Sequence, residues 1–145
     1  MKSYGQACPI ALGLDKLGDR WTLLIVRELL IRPDLRFSDL ENGLPGIATN
    51  LLSSRLADLQ AAGLVEKGFI GHQENIAVYN LTDLGKTLDP IVTAIAEWGM
   101  QFVMTAGPDL ETRDHWLDFG RARKLKMPKE MLGPQKSAKS NKVKR

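Results

Sequence analysis

The spacing of apolar residues changes character along this chain, and that change limits the folds open to it. From Cys8 to Ala62 apolar side chains recur at helical intervals. From Leu64 to Leu81 they sit in two short runs rich in β-branched and aromatic residues, and from Leu84 to Phe102 they return to a helical interval. Such a chain has to assemble several short helices around a two-stranded hairpin and then add a longer amphipathic helix.

Within the first stretch, Ile10, Leu14 and Leu17 form one burst and Trp21, Leu24, Ile25 and Leu29 a second. Gly18-Asp19 lies between them, with Asp19 placed to cap the second helix. Pro33-Asp34 closes that helix, and Ser38-Asp39-Leu40 opens a short third one ending near Gly43, Pro45 and Gly46. Thr49 to Ala62 carries Leu52, Leu56 and Leu59 on one face, followed by Gly63 as a C′ glycine. The runs Leu64–Phe69 and Ile76–Leu81 predict the hairpin. Thr82 then caps a helix expected from Asp83 to about Met104, whose residues Leu84, Leu88, Ile91, Ile95, Trp98 and Phe102 fall on an a/d heptad seam. A further helix is expected over Leu110 to Lys126, although Trp116, Leu117 and Phe119 make a poor stripe. The chain divides into a main domain over 1–107, a possible extra helix in 108–132 and a basic tail, expected to be disordered, over 133–145.

Composition removes several classes. The 145 residues fit one domain. The apolar run from Cys8 to Leu14 stops at Asp15 and Lys16, well short of the ~20 residues that span a bilayer, so no membrane association is expected and the cytoplasm, on the nucleoid, is the expected location. One cysteine and two histidines, His72 and His115, cannot build a tetrahedral zinc site within one chain, so no metal and no cofactor are expected. Gly85-Lys86-Thr87 ends like a phosphate loop, but Asn80 stands where that loop needs its first glycine. Asn80-Leu81-Thr82 has the form of a glycosylation acceptor and reads instead as the start of a helix. The carboxylates Asp15, Asp19 and Glu28 read as caps and helix-face charges, so no catalytic residue is proposed and an enzyme is not expected.

The element order, helices and then a hairpin with a short turn before the fourth helix, is that of a winged helix-turn-helix: mainly α with a small β-hairpin (α+β). In that geometry the second helix of the pair enters the major groove of double-stranded DNA. Burying Leu52, Leu56 and Leu59 turns Thr49, Asn50, Ser53 and Ser54 outward. Asn pairs with adenine edges, Ser and Thr suit several bases or phosphate, and Arg55 can reach a phosphate or guanine. The alternative is a polar helix face without a partner, as globular helices commonly show.

The motifs around this core resemble the HxlR-type branch of the winged helix transcriptional regulators. The matching string includes Cys8-Pro9, Gly18-Asp19-Arg20-Trp21, Arg27-Glu28-Leu29, Arg36-Phe37-Ser38-Asp39-Leu40 and Leu44-Pro45-Gly46-Ile47. It continues through Leu52-Ser53-Ser54-Arg55-Leu56, Ala62-Gly63-Leu64-Val65, Tyr79-Asn80-Leu81-Thr82-Asp83-Leu84-Gly85 and Trp98-Gly99. The resemblance spans about residues 8–100 and implies a dimeric bacterial DNA-binding regulator, more often a repressor, acting on a palindromic operator. Two features depart from the pattern. Ala48 stands where the family commonly has Ser, so capping is expected to pass to Thr49. The wing lacks the usual Arg and Pro, which leaves Lys67, His72 and Gln73 as its contacts. Arg36 and Ser38 are the candidate phosphate contacts.

The heptad seam either packs on its own domain or pairs two chains, and the resemblance favours a homodimer. Cys8, just before Pro9, falls at a helix N-terminus, where the dipole favours thiolate and so reactivity toward a small electrophile or oxidant. Several members of the resembled family sense such compounds through a cysteine at the matching position. The other reading is an ordinary small buried hydrophobe.

Charge is divided unevenly. Residues 1–120 hold 10 Lys/Arg against 16 Asp/Glu, whereas 121–145 hold 10 Lys/Arg against one acid. Arg121, Arg123, Lys124, Lys126 and the terminal lysines therefore either grip the DNA backbone or form a solvated tail. The acidic body leaves a second function open, a winged-helix protein–protein interaction module without sequence-specific DNA binding.

Overall fold

The computed structural model describes residues 3–72, 75–103 and 113–127. Four helices come first: α1 (Pro9–Leu17), α2 (Thr22–Ile31), α3 (Phe37–Gly43) and α4 (Thr49–Ala61). The hairpin follows as β1 (Val65–Ile70) and β2 (Ile76–Leu81), antiparallel, with Val65 opposite Leu81 and Ile70 opposite Ile76. This is the expected winged helix-turn-helix order.

Local chemistry sets the boundaries. Pro9 opens α1, where its missing N–H costs nothing, and Asp19 accepts the Trp21 N–H at 3.0 Å ahead of α2. Asp39 reaches back from α3 to the Arg36 N–H at 2.9 Å. Helix α4 ends in a Schellman motif: Gly63 has φ +72°, its N–H bonds the Gln60 carbonyl, and the Leu64 N–H bonds the Leu59 carbonyl. The core gathers on α2, whose Ile25 and Val26 are fully buried, and takes in Leu40, Leu44, Leu52, Leu56 and Leu59.

One long-range stitch is invisible to local pattern. Leu35 and Tyr79 exchange backbone hydrogen bonds, at 3.3 and 2.8 Å, in an isolated bridge between the α2–α3 loop and β2. Beside it Asp34 and Asn80 bond reciprocally, Asp34 N–H to Asn80 Oδ1 and Asn80 Nδ2–H to Asp34 Oδ1, each at 2.8 Å. Thr82 caps the next helix as expected, accepting the Gly85 N–H at 3.0 Å.

The single helix expected from Asp83 to about Met104 is instead broken into α5 (Asp83–Lys86), α6 (Asp89–Trp98) and a π-helical turn (Gly99–Val103); Met104 lies outside the described residues. Pro90 explains the first break. It has no N–H for the Lys86 carbonyl, and its ring would collide with that oxygen in a continuous helix. The chain closes α5 with tighter bonds, Thr87 N–H to Leu84 O and Leu88 N–H to Gly85 O, both 3.1 Å. The resulting rotation turns Leu88 into the core, where it is 6% exposed. Leu88 therefore leaves the expected seam.

Helix α7 (Asp114–Ala122) is shorter than the expected Leu110–Lys126 and buries both Leu117 and Phe119. Lys124, at φ +54°, ends it with a second Schellman pattern, Lys124 N–H to Arg121 O and Leu125 N–H to Gly120 O. Arg123 fastens α7 to α6 by two 2.7 Å bonds to the Asp89 carboxylate, and its guanidinium lies 3.7 Å from the Phe119 ring centre. That guanidinium holds the Asp89 carboxyl below the ordinary carboxylate range; burial opposes the shift and the Thr93 hydroxyl adds to it. The tail assigned to 133–145 lies outside the described residues. No helix among the described residues is long and apolar enough to cross a membrane.

Candidate nucleic-acid interface

Leu52, Leu56 and Leu59 are at most 2% exposed, and their burial fixes which face of α4 meets solvent. Thr49, Asn50, Ser53 and Ser54 are all exposed on it. The N-cap is Ala48, which offers no side-chain acceptor, and Thr49 does not take the role over. Its hydroxyl donates to Glu41 Oε1 of α3 at 2.6 Å. Asn50 partly replaces the cap by accepting the Leu51 N–H at 2.9 Å, which leaves its amide NH2 facing outward.

Arg55 departs from its expected place in this set. Its guanidinium bonds Asp19 at 3.0 Å and Asp58 at 2.8 Å, its side chain is 19% exposed, and its Nε is buried without a partner. It ties α4 to the turn before α2, so the outward set Thr49, Asn50, Ser53 and Ser54 carries neutral donors and acceptors only.

Arg36 and Ser38 are exposed at the first turn of α3, next to the Leu35–Tyr79 bridge. On the wing, Lys67 lies opposite Tyr79 with its ammonium 6.0 Å from the ring, and His72 is exposed at the tip. Gln73 lies outside the described residues. The bridge joins these pieces into one surface: Lys67 pairs with Tyr79, Tyr79 with Leu35, and Arg36 follows Leu35.

Cys8 is the N-cap of α1 and half-buried; its carbonyl accepts the Leu12 N–H at 2.9 Å. Most of the exposed large apolar residues lie on α1 (Ile10, Leu12, Leu14) and along α5, α6 and the π turn (Leu84, Ile91, Ile95, Trp98, Phe102); Tyr4, Leu24 and the wing residues Phe69 and Ile70 are exposed as well. Trp98 and Phe102 lie with ring centres 5.9 Å apart.

Glu28 was misjudged from sequence as a helix-face charge. It is 5% exposed and accepts from Arg27 Nε at 3.0 Å and Nη2 at 2.7 Å, from Trp116 Nε1 at 2.9 Å, and lies 2.9 Å from His115 Nε2. Gly43 is what leaves room for it, since a Cβ there would stand 2.5 Å from Glu28 Oε2. The signal was available: between Ile25 and Leu29, position 28 falls on the buried side of α2.

A buried helix pair that holds out a polar second helix, followed by a hairpin wing, defines a winged helix-turn-helix transcriptional regulator. Residues 16–106 match the family described as HxlR-like helix-turn-helix, and the chain belongs to that family. YvaP of Bacillus subtilis (strain 168), described as an uncharacterized HTH-type transcriptional regulator, is 36% identical over 102 residues, which are 70% of this chain and 94% of that one. Among solved structures, a protein from Porphyromonas gingivalis W83 described as a MarR-family regulator superposes with a TM-score of 0.61 at 30% identity, over 71% of this chain and 100% of that one. The reduced form of the regulator YodB from B. subtilis gives 0.58 at 28%, over 68% and 96%. The oxidized form of the redox regulator HypR gives 0.62 at 28%, over 68% and 100%. These relatives and neighbours are transcriptional regulators, not enzymes.

Proposed function

We propose that this DNA-binding regulator acts as a homodimeric repressor on a two-fold symmetric operator, in the cytoplasm on the nucleoid. The observation that carries this reading is the face of α4, where Thr49, Asn50, Ser53 and Ser54 stand exposed over a fully buried leucine row. The Asn50 amide supplies the bidentate geometry that adenine requires, and the hydroxyls accept or donate to neighbouring edges. Arg36, Ser38, Lys67, His72 and Gln73 serve the phosphates. The apolar surfaces of α1 and of α5 to the π turn pair two chains, which sets the half-sites about one helical turn apart, ~34–36 Å.

Arg55, Arg121 and Arg123 each face a carboxylate within 3.0 Å and so are less available to the DNA backbone than Arg36 and Lys67. The terminal lysines beyond residue 127 add to that backbone affinity, and truncation there lowers the salt slope. Selection of random duplex DNA by the purified protein tests the reading; failure to enrich any two-fold symmetric site at low salt overturns it in favour of an interaction module.

Cys8 gives this regulator its input. The likeness to HypR, described as a redox regulator, and the place of Cys8 at the start of α1 support thiol-based sensing of a small electrophile or oxidant. With one cysteine per chain, the oxidised form is a disulfide between chains or with a small thiol. Operator affinity that responds to oxidant equally in the parent and in Cys8→Ser would remove Cys8 from this role.

A further inference from the structure

The first residue of α4 has its hydrogen-bonding direction decided before any partner arrives. Thr49 donates its hydroxyl proton to Glu41 Oε1 at 2.6 Å, a length typical of a hydroxyl on a charged acceptor. A threonine hydroxyl has one proton and two lone pairs, and a carboxylate has no proton to give back. The bond to Glu41 therefore commits the only donor of this hydroxyl within the protein, and what Thr49 turns outward is an acceptor alone. The carboxylate polarises that oxygen and makes it a better acceptor.

The core beneath the pair holds it in place. Glu41 follows Leu40, and Leu52 lies one turn into α4 from Thr49; both leucines are fully buried. Between them Gly46, at φ +86°, reverses the chain, and the Leu44 carbonyl accepts the Ile47 N–H at 3.1 Å. Both side chains thus start from backbone that cannot shift without opening the core. Glu41 is half-buried and Thr49 exposed, which leaves the hydroxyl oxygen as the outer member of the pair.

Residues at the N-terminal end of a recognition helix are the ones that meet base edges in the major groove. The only donors the bases present there are adenine N6 and cytosine N4, whereas guanine O6 and thymine O4 are acceptors. We infer that Thr49, with Glu41 as its positioning residue, selects an amino base, adenine or cytosine, over a keto base, guanine or thymine. Every base pair joins one amino base to one keto base. Thr49 therefore reads which strand carries the amino base, and not whether the pair is A·T or G·C. A phosphate oxygen also only accepts, so Thr49 does not serve the backbone. This role of Thr49 rests on the DNA reading by α4 proposed above.

Selection of random duplex DNA by the full chain, run in parallel on the parent, Thr49→Ala, Thr49→Ser and Glu41→Gln, tests it. The position that Thr49→Ala relaxes is expected to carry adenine or cytosine on one strand in the parent, favoured about fivefold over guanine or thymine. Thr49→Ser is expected to keep that preference. Glu41→Gln replaces the carboxylate by an amide that can itself donate to the hydroxyl, which frees the Thr49 proton to point outward. That variant is expected to admit guanine and thymine at this one position, whereas loss of the negative charge alone would raise affinity evenly on every sequence. Circular dichroism spectra are expected to match the parent throughout. Guanine or thymine at the Thr49 position, Thr49→Ala relaxing no position of an operator that the parent selects, or Glu41→Gln rescaling all sequences evenly overturns the base choice while the DNA reading by α4 stands. Failure of the parent to enrich any site overturns both.

Discussion

Trp116 of α7 donates its indole N–H to Glu28 of α2 at 2.9 Å, across 88 positions of sequence. With Arg27 on the same oxygen and His115 on the other, the carboxylate is fully engaged at 6% side-chain exposure. Removing it strands three half-buried partners, so Glu28→Ala is expected to cost about 3 kcal/mol in urea denaturation. Phe119→Ala, which empties a buried site on the same helix, is expected to cost a similar ~3–5 kcal/mol. A Glu28→Ala cost below 1 kcal/mol would show that α7 is only loosely held.

The ion pair between Asp89 and Arg123 predicts an acid-labile contribution. The Asp89 carboxyl is lowered in the folded state by Arg123, whereas in the unfolded chain it titrates near ~3.9. Stability from this pair is therefore fully present above about pH 4 and is lost as pH falls through the folded value. Arg123→Gln is expected to lower the urea midpoint at pH 7 and to approach the parent at pH 3. Parallel curves at both values would remove the pair from the acid response.

On the selected operator Asn50→Ala is expected to cost about 1–3 kcal/mol and to relax one base position, with only a small loss of stability from its bond to the Leu51 N–H. Arg55→Ala is expected to behave in the opposite sense. It leaves Asp19 and Asp58 without their cation, so the melting temperature falls first and affinity falls evenly across sequences. Binding titrations on single-base operator variants separate the two outcomes.

Leu88 and Trp98 should part in the same way. Leu88→Ala empties a core site and is expected to cost about 2–5 kcal/mol of stability. Trp98→Glu changes a residue 59% exposed and is expected to leave the fold intact while shifting the protein to a monomer in sedimentation. A dimer that survives Trp98→Glu would place the interface elsewhere.

Much of this molecule was legible in the sequence because its signals are local. The leucine row of α4, the Gly63 terminus, the Thr82 cap and the hairpin each rest on residues a few positions apart. The heptad spacing from Leu84 to Phe102 runs straight through Pro90, a helix breaker that periodicity alone does not weigh, and so the broken helix and the inward turn of Leu88 were missed. Arg55 and Glu28 were misjudged for a different reason. Their partners, Asp19 in the α1–α2 turn and His115 and Trp116 in α7, come from distant parts of the chain, and periodicity carries no record of an ion pair closed across the fold. The poor stripe of α7 has the same cause: His115 and Trp116 there answer to a buried carboxylate.

The double tie of Leu35 to Tyr79 and Asp34 to Asn80 makes the wing and the root of α3 a single stiff jaw. Four hydrogen bonds hold the hairpin to the loop that launches α3, and Glu41 carries the same rigidity on to Thr49 at 2.6 Å. A reader built this way cannot spread its grip to suit the groove, so any misfit has to be absorbed as strain in the duplex. Bases that no side chain touches then still count, through how easily they bend.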